Sequence, residues 1–363
     1  MVIIEIKKVT LKDIAQASGY SLVSVHRAMN NKEGVSKEVR QEILNVASEL
    51  GYTTNYVASA LKRRQVNLAV VLPEADAGGK YYFRYVWKGC HAARDVVAGY
   101  NLNVMEFTFP VHGASGSEEQ EEILQKLYEE WGDRLDGLLT TPNINSSRMQ
   151  CLLSQFSGRG VSVVLIDNDF KDCGRLCCIA PNDTYTGRLA AELMNLVLQG
   201  SKGVILVAQG DPRSLSHKMN AAGFEAYFKE HNPDITVKLV PDLNDIHANR
   251  MQMLQCLKDD PHIIGAYSTR ARNTMPLCEA LIESGRQNEI FTVGSDLFPE
   301  SAQMLNEGIL KAIVYKNPYQ KGYAGFNTLF EYLIKGIKPR GEAISVQISI
   351  IMQNNIQFFE EFI

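Results

Sequence analysis

No apolar run in this 363-residue chain approaches the roughly 18 residues that a membrane span requires. The opening Met1–Ile4 is apolar, but Glu5 breaks it at once, so it does not read as a secretion signal. A membrane partner is therefore not expected. Seven cysteines, an odd number, do not make a disulfide framework in a chain this long, and a reducing, cytoplasmic address is expected. Cys173, Cys177 and Cys178 are clustered, but C-x3-CC is not a zinc spacing, and Leu176–Ala180 reads as a buried strand. Catalytic signatures are missing too. There is no Gly-x-Gly-x-x-Gly after the first strand, no phosphate-binding Walker loop, no Gly-x-Ser-x-Gly elbow and no His-Glu-x-x-His. The seven histidines are scattered, with none at helical ligand spacing from a carboxylate or cysteine. Neither a metal nor a cofactor is expected, and binding is favoured over catalysis. The competing class is an α/β enzyme with an accessory DNA-binding domain.

What is present divides the chain in two. Residues 1–67 carry ten Lys/Arg against six Asp/Glu, a balance of +4, whereas the whole chain is at −4, leaving −8 for the rest. A mildly basic head on an acidic body suits a protein that touches a polyanion with one end only. An apolar content of 45% and a length of 363 residues predict a soluble protein with two or three cores.

The head is the most legible part. Thr10 and Asp13 make a capping box, Leu11, Ile14 and Ala15 share one face, and Gly19 can close the helix in the left-handed conformation. Ser21 then caps a second helix, in which Val25, Ala28 and Met29 face inward while Val23, Arg27 and Asn30 face outward. A third helix runs from Ser36 through Val39, Ile43, Val46, Ala47 and Leu50 to Gly51. Two short helices around a glycine-containing turn predict a helix-turn-helix, whose second helix enters the major groove. The alternative is a three-helix bundle with no DNA role.

Past Lys62–Arg64 the pattern becomes strand and helix in alternation. Strands are predicted at Leu68–Leu72, Leu102–Phe107, Gly137–Thr140, Val161–Ile166, Gly203–Val207, His262–Tyr267 and Ile290–Val293. Helices are predicted at Tyr82–Gly99, Glu118–Trp131, Gly187–Gly200, Ala221–His231, Ala248–Asp259 and Met275–Gly285. Such alternation implies parallel sheets covered on both faces, here two rather than one, with ligand held beyond the carboxyl ends of the strands.

The motifs Thr10–Ala15, Gly19–Ser21, Ser24–Arg27, Val35–Ser36, Glu49–Tyr52 and Asn55–Leu61 resemble the DNA-binding head of LacI/GalR-family regulators. The body resembles the same family's periplasmic-binding-protein type I-like core at Lys88–Gly89, Asp136–Gly137, Leu165–Asp167, Asn182–Asp183, Gly187–Ala191, Ala222–Phe224, Gly294–Asp296 and Asn317–Gly322. The resemblance implies an all-α helix-turn-helix head over 9–54, a hinge helix over 55–65, and two doubly wound parallel-sheet lobes over 66–363 for ligand binding and dimerisation. By the same likeness the chain crosses between lobes near residues 180, 315 and 342.

On the DNA side Ser21, Leu22, Val23, Ser24, His26, Arg27 and Asn30 are candidate contacts, joined by Asn55, Ala58 and Leu61 of the hinge. Arg27 can hold a phosphate or form a bidentate contact with guanine. Val23 would favour thymine methyl groups, and Leu22 can instead pack inward. Leu61 matches the residue that wedges between base pairs in the minor groove. On the ligand side Tyr82 and Phe83 match the family's stacking aromatics, and Asp296 its effector-binding acid, with core packing and helix capping as alternatives. Asn273 is a further candidate. Asn220 stands where the family often has arginine, and Lys316 where it has glutamine. A displaced Thr269–Asn273 replaces an Asn-Asp pair. This moves positive charge within the cleft and brings an acidic sugar into consideration beside a neutral one. The chain is thus expected to be a ligand-responsive DNA-binding regulator, a repressor controlled by a sugar or sugar acid and acting as a homodimer on a double-stranded operator. An activator, or a regulator governed by a partner protein, is the alternative.

Overall fold

The computed structural model describes residues 9–29, 33–50, 52, 64–111 and 113–359, with the side chains of 113–115 excepted. Asn30 and the hinge candidates Asn55, Ala58 and Leu61 lie outside the described residues. The chain forms two compact units, Met1–Lys62 and Arg63–Ile363.

In the first unit, helices α1 (Leu11–Ser18), α2 (Leu22–Met29) and α3 (Lys37–Glu49) enclose a small core of Ile14, Val25, Ala28, Ile43 and Ala47. Both halves of the capping box are made. The Thr10 hydroxyl accepts from the Asp13 amide, and the Thr10 amide donates to the Asp13 carboxylate at 2.7 Å. Gly19 closes α1 at φ 73°, with its N–H donating to Ala15. Ser21 Oγ accepts from the Ser24 amide at 3.1 Å and so starts α2. Ser36 caps α3 in the same way.

The second unit contains two six-stranded sheets. The first is ordered β11-β5-β4-β3-β1-β2, with β1 Val66–Pro73, β2 Leu102–Phe109, β3 Gly137–Thr140, β4 Ser162–Ile166, β5 Cys177–Ile179 and β11 Ala343–Ile344. The second is ordered β12-β10-β9-β8-β6-β7, with β6 Gly203–Ala208, β7 Ile235–Val240, β8 Ile263–Ser268, β9 Phe291–Ser295, β10 Ala312–Tyr315 and β12 Ser349–Ile351. All pairings are parallel except β10 with β12. Helices α4 (Phe83–Val96), α5 (Gly113–Trp131), α6 (Ser147–Gly158) and α12 (Pro318–Phe330) cover the first sheet. Helices α7 (Asp183–Leu198), α8 (Leu215–His231), α9 (Ile246–Asp259) and α10 (Ala271–Glu283) cover the second, and α11 (Pro299–Asn306) packs beside it.

Strands covered on both faces need apolar residues at every position, which explains their unbroken apolar runs. On β1, Leu68, Val70 and Leu72 face one core, and Ala69 and Val71 face the other. On β6, Ile205 and Val207 are divided from Leu206 and Ala208 in the same way. The chain passes between the sheets after β5, after β10 and after β11. These positions agree with the three crossings expected from the sequence.

The differences are local. Strands β7, β10, β11 and β12 and helix α6 were not among the expected elements. β7, at the sheet edge, has buried residues only at its two ends, with exposed and half-buried ones between, while β10 to β12 are two to four residues long, too short for a periodicity to register. Helices α7, α8 and α10 start four to six residues earlier than their apolar stripes suggest, because their first turns are polar and face a cleft.

Each lobe is closed by a pair of helices in glycine-mediated contact. A Cβ on Gly89 would fall 2.0 Å from the Tyr319 carbonyl oxygen, and one on Gly322 would fall 1.9 Å from that of Val86. In the second lobe Gly187 stands in the same relation to Asn220, at 1.9 Å, and Gly223 to Thr184, at 2.2 Å. Gly322→Ala should therefore force α4 and α12 apart and cost about 1–3 kcal/mol. Gly158, with nothing within 4 Å of its hypothetical Cβ, is the control. Gly158→Ala should be neutral or slightly stabilising. Urea unfolding of the two variants checks this, and equal midpoints would contradict the close packing.

Candidate functional site

Two surfaces carry chemistry, one in each unit. In the head, α2 presents Leu22 and Val23 to solvent at 44% and 60% exposure, beside exposed Ser21, His26 and Arg27 and half-buried Ser24. Leu22 does not pack inward, because Val25 and Ala28 already fill the inner face of the helix. Leu22, Val23 and His26 instead line a surface groove with Thr10, Leu11 and Lys12 of the preceding helix. Lys12, not singled out from the sequence, lines this groove beside α2. Arg27 lies over Gly34, whose hypothetical Cβ would stand 3.0 Å from a guanidinium nitrogen. Ser21 is half committed, since its hydroxyl caps α2 and also meets the Ser24 hydroxyl at 2.9 Å.

In the body, a cleft of about 750 Å³, including the solvent at its mouth, opens between the two sheets at the carboxyl ends of their strands. That is where ligands sit in doubly wound folds. One wall comes from the first lobe, with Tyr82, Phe83, Thr141, Asn143, Asp167 and Asn168. The other comes from the second lobe, with Ser214, His217, Asn220, Thr269, Arg270, Arg272 and Lys316, and Asp183 lies at the crossing between lobes. Asn168 spans the two walls, its side-chain oxygen accepting from the Ser216 amide at 3.0 Å and the Ser214 hydroxyl at 3.3 Å.

The charges are arranged in pairs. Lys321, 1% exposed, donates to Asp167 and to the Tyr82 hydroxyl, which itself donates to Asp167 at 2.9 Å. Lys316 pairs with Asp296 at 3.0 Å through its ammonium, and its amide donates to the other carboxylate oxygen at 2.9 Å. Arg270 pairs with Asp242 at 2.7 Å. Burial pushes Asp242 up, but Arg270, the Asn249 amide and the Asn244 N–H together hold it below its ordinary value. His217 is pushed down to about 3 by burial and by Arg270 and Lys316, so it is neutral at any physiological pH. Burial pushes Tyr82 well up, with Asp167 adding to the shift. The thiols of Cys173, Cys177 and Cys178 are free and buried, and burial raises Cys177 to about 11. Among the described residues no group of three or more His, Cys, Asp or Glu is placed to hold a metal.

Of the ligand candidates read from the sequence, Tyr82, Phe83, Asn220 and Lys316 line the cleft, and Asn273 and Asp296 do not. Asn273 is 2% exposed and bridges Asn249 and the Gln209 carbonyl behind the wall. Asp296 is fully buried, and its carboxylate is already occupied by Lys316. A lysine next to a buried acid supplies the counter-charge that burial demands, so the acid is not left to receive ligand hydroxyls. Asn220 is partly spent as well, accepting from the Tyr267 hydroxyl at 2.9 Å. Missed as ligand candidates were His217, Arg270, Arg272, Asp167, Asn168 and Asp183. The signal for most of them was position, in the first residues after a strand or at the start of the next helix, rather than any motif.

Asp183 gives a test of the electrostatics. Burial raises its carboxyl to about 7. Between an unfolded value near pH 4 and that folded value, the unfolded chain ionises while the folded protein keeps its proton. Stability is therefore lost as pH rises through this window and is level above it. Asp183→Asn should melt higher than wild type at pH 8 by about 2–4 °C, with the gap narrowing towards pH 5. A gap that does not change with pH, read by thermal unfolding, would place Asp183 in open solvent.

Residues 10–55 match the family described as bacterial regulatory proteins of the lacI family, and residues 68–337 match the periplasmic binding protein domain. The transcriptional regulator DegA of Bacillus subtilis is 23% identical over 233 residues, and RegA of Clostridium saccharobutylicum is 26% identical over 239. Each match covers 64% of this chain and 64% of the relative's own length. The body superposes on GanP, a glucose-galactose binding protein from Geobacillus stearothermophilus, with a TM-score of 0.68 and 21% identity over 81% of this chain and 99% of that one. The chain thus joins a head of the lacI family of bacterial regulatory proteins, over residues 10–55, to a body that belongs to the periplasmic binding protein domain family, over residues 68–337.

Proposed function

We propose that the protein is a ligand-responsive DNA-binding transcriptional regulator, a repressor whose operator affinity is set by a sugar or sugar derivative in the body cleft. The observation that carries this reading is the outward face of α2. Leu22, Val23, His26 and Arg27 are exposed on a helix whose inner face is fully used, and the same chain continues into a cleft lined with amides and hydroxyls. The matched relatives are regulators, which favours binding over catalysis as the role of the body. The fold shared with a glucose-galactose binding protein, and the placement of Tyr82 and Phe83 beside polar side chains, support a sugar-like effector.

A single head of this size reads one half-site, so the working form is a homodimer on a two-fold-symmetric operator. Ser21, Ser24, Arg27 and Asn30 supply polar contacts there, and Leu22 and Val23 supply apolar ones. Asn55, Ala58 and Leu61 would act at the minor groove. The compartment is the cytoplasm, in keeping with a DNA target, and no described helix is long and apolar enough to cross a membrane.

Selection from a random duplex library, followed by affinity measurement, tests the DNA reading. Wild type should enrich a two-fold-symmetric site and bind it more weakly as salt rises, because phosphate contacts release counterions. Arg27→Ala should lose about 1–3 kcal/mol of affinity, with the cleft unaffected. Tight binding by Arg27→Ala would remove Arg27 from the interface. An effector found by thermal-shift screening should change operator affinity by about 5–150-fold, and operator should change effector affinity by the same factor. Effector bound without any change in operator affinity would contradict the coupling.

A further inference from the structure

Among the charges that line the cleft, Arg272 differs from the others. Lys316 and Arg270 each have a carboxylate within 3.0 Å, as does Lys321 beneath the floor. Arg272 is 4% exposed, and neither its Nε nor its Nη1 has a hydrogen-bonding partner among the described residues. Its one contact is a long 3.5 Å approach of Nη2 to the Asn244 carbonyl. Burial and the neighbouring Arg270 pull its guanidinium below its ordinary value, against a weaker opposing pull from Asp242, Asp245 and Tyr81, none of which is in hydrogen-bonding contact with it. Across the cleft wall, His217 Nδ1 is also buried without a partner. Unpaired buried donors are costly, and a buried cation without a counter-ion is among the costliest.

We infer that the effector carries an anionic oxygen group, a carboxylate or a phosphate, which the guanidinium of Arg272 receives, with His217 lining the same cleft. This rests on the reading of the cleft as the effector site. Nε–Nη2 and Nη1–Nη2 are the two guanidinium edges that match two oxygens of a carboxylate or phosphate in a bidentate contact, and each holds one unpartnered nitrogen beside the weakly engaged Nη2. A neutral sugar offers no counter-charge and would leave Arg272 as it stands. The remaining polar positions suit hydroxyls, with Asn143, Asn168 and Asn220 offering amides and Asp183 offering a carboxyl that keeps its proton up to about pH 7. An acidic sugar derivative, either a sugar acid or a sugar phosphate, meets both requirements.

The test uses the full chain and its Arg272→Met variant, with inorganic phosphate, D-glucuronate and D-glucose as probes at matched ionic strength. Without any probe the variant should melt about 2–4 °C above wild type, since an uncompensated buried charge has been replaced by an apolar chain of similar reach. Phosphate or glucuronate should raise the wild-type melting temperature and leave the variant's unchanged, and the more effective anion distinguishes a sugar phosphate from a sugar acid. Arg272→Lys should keep part of the anion effect. A variant that melts below wild type would overturn the inference, as would anions that stabilise both proteins equally or neither. Stabilisation of wild type by glucose alone would overturn it too. Operator binding, measured in parallel, separates the outcomes. A wild-type protein that binds operator but shows no anion response sinks the anion subsite alone, and an anion response without operator binding sinks the regulatory reading alone.

Discussion

A charge taken out of water must find a counter-charge, and that requirement organises the centre of this molecule. At the end of β4 the chain turns through Asp167, and at the end of β9 through Asp296, with φ of 64° and 60°. Both residues adopt the left-handed backbone conformation, which costs roughly 1–2 kcal/mol outside glycine. Each conformation is held because its carboxylate meets a lysine, Lys321 for Asp167 and Lys316 for Asp296. The two lobes thus repeat one device, an aspartate just past a strand paired with a lysine at or after the return from β10. Removing either lysine would leave an acid buried without compensation, which is more destructive than losing the pair together.

The same requirement assigns roles around the cleft. Where the counter-charge is internal, as for Asp296 and Asp242, the acid lies behind the cleft wall and its partner, Lys316 or Arg270, lines it, whereas Asp167 lines the cleft with Lys321 beneath. Where it is missing, as for Arg272, the group faces the cleft with unspent capacity. The apolar and aromatic part of the site is more modest. Tyr82 is held by Lys321 and Asp167 and has the Lys316 ammonium 5.6 Å from its ring centroid, so its ring is fixed before any ligand arrives.

Much of the architecture was legible because it rests on short-range chemistry. Capping by Thr10, Ser21 and Ser36 and closure by Gly19 are local events, and the head follows from them. The long parallel strands show as apolar runs because both faces are covered. The edge strand β7 and the short strands β10 to β12 left no such trace, since their place is fixed by partners far away in sequence. The cleft was half legible. Tyr82, Phe83, Asn220 and Lys316 could be placed by likeness, but Asp296 was misread as exposed to ligand because its pairing with Lys316 depends on a strand-end turn that no spacing encodes. Arg272 and His217 carry no motif, and only the packing of α8 and α10 brings them to one wall.

The lobes meet through a buried apolar cluster of Tyr81, Tyr85, Ala271 and Phe298 and through a set of polar contacts beside it. The Asn145 amide donates to the Arg213 carbonyl at 3.4 Å, the Ser216 amide to Asn168 at 3.0 Å, and Lys80 pairs with Glu300 at 3.0 Å, beside one aromatic contact of Tyr81 with Phe298. Filling the cleft should therefore act first on these bonds and not on the sheets. Hydrogen exchange at single-amide resolution, with and without bound effector, tests this most directly. The account predicts slower exchange at the amides of Asn145 and Ser216, with Val164 and Leu206 in the sheet interiors unchanged. Exchange at Asn145 and Ser216 that is unaffected by effector, or slowing spread evenly over both sheets, would contradict it.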